Sequence, residues 1–181
     1  FSMAASEIAR LVGANLASEE ISAADRPIRI LLVGRASSDP FYLSEAAEIK
    51  SSGAARRSVP NLDEVADALS RWSERTGVGI VDRAFLEGRS LREQILLFNN
   101  ADIVISQHGA ALANLIFCRR GTGVVEWLPK DLVRKPVSRA VRVSRWIRHH
   151  VLRLPACEGP ARLFPSISRH MGLRHLVLTQ H

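Results

Sequence analysis

The residues whose types and spacing suit chemistry in this 181-residue chain lie between Ser106 and Glu126. His108 is followed by Gly109, Ala110 and Ala111. A helix that opens on such small residues leaves its first backbone N–H groups uncovered, and those amides suit a phosphate or another anion. His108 beside them adds a hydrogen-bond donor or a proton-transfer group. Glu126, farther along, offers a carboxylate to paired hydroxyls such as those of a ribose. Arg35, with Ser37 and Ser38 close behind it, is a second candidate grip on phosphate oxygens. Each feature has a plainer alternative: a strand-to-helix turn at His108–Gly109, a solvated Glu126, and a surface Arg35 in a polar loop. The residues alone leave both readings open.

The elements that must hold these groups follow from periodicity. Ala101–Ser106 is a short apolar run rich in β-branched residues and reads as a strand. Gly109–Cys118 is small and apolar, as a buried helix would be. Arg119–Arg120–Gly121 is expected to close it, with cations at the negative end of the helix and a glycine for a left-handed cap. Gly123–Leu128 is a second β-branched run, ended by Pro129. This order is that of a parallel βαβ unit. Ligands of such sheets bind beyond the carboxyl ends of the strands, where His108 and Gly109 fall and near which Glu126 is expected.

At these residues the chain resembles the family 61 glycosyltransferases. Their hallmark is a His-Gly-Ala-Gly-Leu stretch before an apolar helix, then Gly-Thr, a Val-Val-Glu strand and a proline. Here the matching residues are His108, Gly109, Ala110, Leu112 and Asn114, then Gly121–Thr122, Val124–Val125–Glu126 and Pro129. The sequence departs from the pattern at Gln107, Ala111 and Ala113. The family's lead-in, a serine-capped helix running into an Ala-Asp strand, is matched by Ser90–Leu91–Arg92–Glu93–Gln94 and Ala101–Asp102. An arginine before an Asn-Glu and a helix, thought in relatives to face the donor diphosphate, is best matched by Arg57, with Arg56 as the alternative.

The resemblance implies the carboxyl-terminal, donor-binding half of a two-domain GT-B transferase. It implies inverting transfer of a sugar from a nucleotide donor, with a UDP-sugar favoured, to a hydroxyl on a glycan or glycoprotein. On this reading Arg35, Arg57, His108 and the amides after Gly109 stabilise the departing diphosphate. Glu126 holds the ribose hydroxyls, Asn114 braces the turn, and Gly109, Ala110 and Leu112 complete the donor-binding set. The general base lies in the missing amino-terminal domain, with His108 as the second choice. Relatives act in bacterial surface-polysaccharide assembly and in the eukaryotic secretory pathway, so no compartment follows.

In chain order, Ser2–Ala17 is a helix with Ile8, Leu11, Val12 and Leu16 on one face. Ile28–Gly34 is nearly all apolar, as in a strand buried on both faces. Asp39–Arg56 reads as a loop with a short helix. Asn61 with Glu64 resembles a capping box, and Leu62, Val65, Ala66, Leu69 and Trp72 mark a helix up to Gly77. Gly79–Phe85 is a strand. Ser90 and Glu93 form a capping box for a helix lined by Leu91, Ile95 and Phe98 and ending at Asn99–Asn100. Asp102 is taken as a solvated turn residue. Ser166–Gly172 is a short helix and His175–Thr179 a last strand. Five strands alternating with helices make an α/β, Rossmann-like, doubly wound and mostly parallel sheet. Residues 1–24 are expected to form a packing helix and 25–181 the donor-binding domain, with a basic helical insert at about 130–153.

Charge is concentrated in that insert. Lys130, Arg134, Lys135, Arg139, Arg142, Arg145, Arg148 and Arg153 face one acid, Asp131, and this excess equals the net charge of +7. Val137, Ala140, Val141, Ser144, Ile147 and Val151 recur at helical spacing, so the insert reads as a basic amphipathic helix. Simple packing, an acidic partner, or an anionic membrane surface met by Arg139, Arg142, Arg145 and Arg148 would all suit it. Nucleic acid is disfavoured because Trp146 is its only aromatic residue. A non-catalytic scaffold acting through this helix is the rival to the transferase.

Other classes lack their signatures. No GxGxxG follows the first strand and no GxxxxGK[ST] occurs, which disfavours a dinucleotide dehydrogenase and a P-loop enzyme. No Asp-x-Asp stands at a strand end, which fits a transferase needing no metal. Cys118 and Cys157 have no metal-ligand spacing, and Cys118 is taken as a small core residue. No apolar run approaches a membrane span. The chain opens on Phe1 with no signal-peptide pattern, and it is read as a fragment or a processed product.

Overall fold

The computed structural model describes residues 2–14, 26–34, 61–128 and 160–179. Its element order is α1 (Ser2–Leu11), β1 (Ile28–Gly34), α2 (Leu62–Thr76), β2 (Gly79–Phe85), α3 (Leu91–Asn100) and β3 (Ile103–Gln107). A 3₁₀ helix (Ala110–Phe117), β4 (Gly123–Leu128), α4 (Pro160–Met171) and β5 (Arg174–Thr179) follow. Arg35, Arg57, the basic stretch with Arg139, Arg142, Arg145 and Arg148, the segment Asp39–Arg56 and Cys157 lie outside the described residues.

The five strands form one sheet in the order β2-β1-β3-β4-β5, and every pairing is parallel. The fold is α/β and Rossmann-like. Chain direction across the sheet reverses between β1 and β3, so the crevice of such a fold opens beyond Gly34 and Gln107. Leu31, Val33, Val104 and Val124 face a large core shared with α1, α3, the 3₁₀ helix and α4. Ile30, Leu32 and Ile105 face the opposite side, where Ala66, Leu69 and Trp72 of α2 cover them. This two-sided burial is why β1 is apolar at nearly every position. On β5, Leu176 and Leu178 are exposed.

Several local details differ from expectation. Helix α1 stops at Leu11 rather than running through Ala17. Gly13 (φ 66°) turns left-handed, its N–H donates to the Arg10 carbonyl, and the Ala14 N–H donates to that of Ala9. This paired closure ends the helix where a β-carbon would be strained. Ala5 and Ala9, not the larger Leu11, are its buried positions, because α1 packs closely on the core; Leu11 is 69% exposed. Asn61 precedes α2 but its side chain caps nothing. Ser90 and Glu93 do form the reciprocal capping box of α3. Ile95 and Phe98 are fully buried, whereas Leu91 in the first turn is exposed.

The segment after β3 is a 3₁₀ helix, and it ends at Cys118 in extended conformation rather than at Gly121. The Asn114 amide donates to the Ala111 carbonyl (3.3 Å) and to Oε1 of Gln94 (3.1 Å). Gly121 makes a separate turn ahead of β4. Helix α4 begins six residues earlier than expected, at Pro160. The Ala101–Ser106 strand is shifted to Ile103–Gln107.

Candidate functional site

Register brings the site together. Ser106 of β3 pairs with Glu126 of β4, and Val124 of β4 pairs with His175 of β5. Side chains alternate along a strand, so His108, two residues beyond Ser106, and His175, two residues behind the partner of Glu126, lie on the Glu126 face. Both reach it. Nδ1 of His108 bonds Oε1 of Glu126 in a short contact, and Nε2 of His175 bonds Oε2 at 2.9 Å. Nδ1 of His175 in turn meets Oγ of Ser168 at 2.7 Å. Ser168 lies on α4 and is fully buried.

The turn from α4 into β5 builds this last contact. Gly172 (φ 70°) is left-handed, its N–H donates to the Arg169 carbonyl, and the Leu173 N–H donates to the Ser168 carbonyl at 2.8 Å. The chain thereby folds back so that β5 starts under the helix face carrying Ser168. Phe164, one turn earlier on α4, stacks edge-on against the His108 ring at 5.1 Å between centroids.

Glu126 is 0% exposed. Burial pushes its carboxyl upward, but hydrogen bonds from His108 and His175, with the positive charge each ring carries whenever it is protonated, outweigh it. The net value lies below the ordinary carboxylate range. Glu126 is the fourth of six residues in β4, and its two oxygens are taken by His108 and His175. The alternation Val124, Glu126, Leu128 already puts it on the core face, and a buried carboxylate requires donors.

His108 follows β3 immediately, and its own N–H donates to the Trp127 carbonyl at 2.8 Å. The first bond of the 3₁₀ helix runs from the Leu112 N–H to the Gly109 carbonyl, so the amides of residues 109–111 precede the ladder. Ala110 is exposed beside them. Leu112 is fully buried, and Asn114 braces the segment against α3. His108, Gly109, Ala110, Leu112 and Asn114 thus follow the carboxyl end of β3, and Glu126, within β4, joins them through its bond to His108. Oε1 of Gln107, a buried residue next to His108, has no partner among the described residues.

Asp102 is a correction. It is not a solvated turn residue but a junction at the amino end of β3. Arg26 grips both its oxygens (2.8 and 2.6 Å), Arg119 donates to Oδ1 (2.7 Å), and the Arg29 N–H donates to Oδ2 (2.8 Å). Burial raises its carboxyl, and these partners together bring it below its ordinary value of 3.8. Arg119 therefore serves Asp102 rather than closing the preceding helix.

Cys118 is buried as expected, and burial pushes its thiol up to about 12. Among the described residues no His, Cys, Asp and Glu cluster has the makings of a metal site. No described helix is long and apolar enough to cross a membrane.

Comparison with known proteins gives the chain a family. The chain is 26% identical over 111 residues to a protein of Oryza sativa subsp. japonica described as beta-1,2-xylosyltransferase RCN11, a match covering 60% of this chain and 20% of that protein. The chain thus spans about a fifth of that curated relative. The model of the family Glycosyltransferase 61 matches residues 8–125, which is more than half of the chain and includes β1, β3 and the His108 turn. On that match, the chain belongs to the glycosyltransferase 61 family.

Proposed function

We propose that the chain is the donor-binding half of a two-domain, GT-B transferase that moves a sugar from a nucleoside diphosphate, with UDP-sugars favoured, to a hydroxyl of a glycan or glycoprotein. The observation that carries this reading is the carboxyl end of β3: a buried imidazole followed by three amides that precede the first helical hydrogen bond, next to the point where the sheet reverses direction. In the reaction the attacking oxygen bonds the anomeric carbon from the face opposite the leaving group. The bond to the diphosphate breaks, and the diphosphate departs with the electron pair. Negative charge grows on it, and open amides with nearby cations stabilise that charge without reorganising. The amides of Gly109, Ala110 and Ala111, with Arg35 and Arg57, fill this role. Leu112 and Asn114 hold the turn that carries the amides, and Glu126 acts through His108. An amino-terminal domain supplies the acceptor side.

Calorimetric titration with UDP tests the reading. Ala110→Asp puts a carboxylate where the diphosphate would lie, on an exposed position that tolerates the change. Two like charges at contact distance near a protein surface cost about 1–4 kcal/mol, so affinity should fall roughly tenfold or more. Arg57→Ala should weaken binding as well. Saturable UDP binding lost in these folded variants supports the site; binding untouched by Ala110→Asp refutes it.

A further inference from the structure

The network behind His108 does more than fill space. An ionised carboxylate only accepts hydrogen bonds, so both ring nitrogens that meet Glu126 must carry hydrogen. For His108 that nitrogen is Nδ1, which leaves Nε2 of the neutral ring with its lone pair. Nε2 has no partner among the described residues. For His175 the nitrogen is Nε2, and Nδ1 then accepts from the Ser168 hydroxyl. The chain Ser168–His175–Glu126–His108 thus has one consistent hydrogen pattern, running from α4 through β5 and β4 to the end of β3.

We propose that Glu126, His175 and Ser168 are positioning residues that fix His108 with Nε2 unprotonated, making Nε2 the proton acceptor for the attacking hydroxyl. This rests on the transferase reading given above. As the acceptor oxygen bonds the anomeric carbon and the diphosphate leaves with its electron pair, the hydroxyl proton passes to Nε2. The imidazolium so formed sits against the Glu126 carboxylate, which is already ionised and already bound, so no dipole has to reorganise. His175 and Ser168 keep that carboxylate ionised in a buried setting where it would otherwise take up a proton. The match to the family model ends at residue 125 and includes none of the three.

The surroundings leave the assignment to these groups. Among the described residues, the turn after β3 presents His108 to Glu126 and β5 presents His175. Helix α4 presents Ser168 to His175 and Phe164 to His108, and the 3₁₀ helix contains no charged residue.

Nuclear magnetic resonance of the 181-residue chain tests this without any substrate. Long-range proton–nitrogen spectra near neutral pH should show His108 protonated on Nδ1 and bare on Nε2. Carboxyl carbon titration should place Glu126 below the ordinary range. His175→Leu removes one donor and should raise the Glu126 midpoint by about one unit, the worth of a hydrogen bond to a charge. His175→Gln offers an amide N–H at the same place and should return the midpoint to within about half a unit of wild type. Ser168→Ala should shift it in the same direction as His175→Leu, by less. A proton on Nε2 of His108 in the wild type overturns the proposal, and that measurement needs no variant to fold. So does a folded His175→Leu whose Glu126 titrates as in wild type. A merely structural His175 would change unfolding midpoints and leave both readings in place. Failure of UDP to bind would refute the UDP-donor reading and leave these results standing.

Discussion

Replacing Asp102 should cost far more than its place in a turn suggests. Its carboxylate accepts two bonds from Arg26, one from Arg119 and one from the Arg29 backbone, and its side chain is only 25% exposed. The guanidiniums are similarly covered, at 22% and 19%, and the Nε atoms of both already lack partners among the described residues. Asp102→Ala would leave two half-buried cations facing each other. Breaking a fully buried pair costs about 3–5 kcal/mol, and residual solvent access brings the expectation here to about 3 kcal/mol. For a chain of this size that lowers Tm by roughly 6–12 °C. Asp102→Asn keeps an acceptor but loses the charge, and should cost about 2 kcal/mol. Urea unfolding at pH 7 reads both, with an unchanged m-value. The sign of the pH dependence follows from the lowered carboxyl value. The stabilisation is complete above the unfolded value and is lost as pH falls through the still lower folded value, so the wild-type advantage over Asp102→Asn should shrink below the ordinary value of 3.8. A loss under about 0.5 kcal/mol, or an advantage flat between about pH 7 and 3, would refute the reasoning.

Two further outcomes are expected. In a Cys157→Ser background, Cys118 should resist thiol reagents until the chain unfolds, because its thiol is buried and pushed up to about 12; labelling followed along a urea titration should track the unfolding curve. At Gly34 a β-carbon would meet Cε1 of Phe85 at 2.7 Å and Cδ2 of Leu62 at 3.2 Å, so Gly34→Ala should cost about 1–3 kcal/mol in thermal unfolding, and Phe85→Leu in the same chain should recover part of it.

Elements set by local pattern were legible in the sequence. The strands from Ile28, Gly79 and Gly123 and the Ser90–Glu93 box depend on alternation, β-branching and a four-residue signature. The misread residues depend on partners far along the chain. Asp102 is a turn residue until Arg26, 76 positions away, folds over it. Leu11 and Leu91 carry the right period but fall where their helices leave the core. Glu126 could have been placed inside by the Val124–Glu126–Leu128 alternation. A chain with six histidines then has few candidates to answer a buried carboxylate. His108 stands out by its neighbours in sequence, whereas His175 reads only as the start of a strand. Its meaning comes from β5 lying beside β4, which no local signal announces.

The order of synthesis gives the Glu126 network another role. Glu126 emerges from the ribosome 49 residues ahead of His175. Without β5, β4 would be an edge strand with one side of its backbone unpaired. A carboxylate pointing inward from such an edge, short of one of its donors, resists burial by a foreign strand. Only β5 brings the imidazole that makes burial acceptable. The last strand is thus what gives the buried carboxylate its second donor.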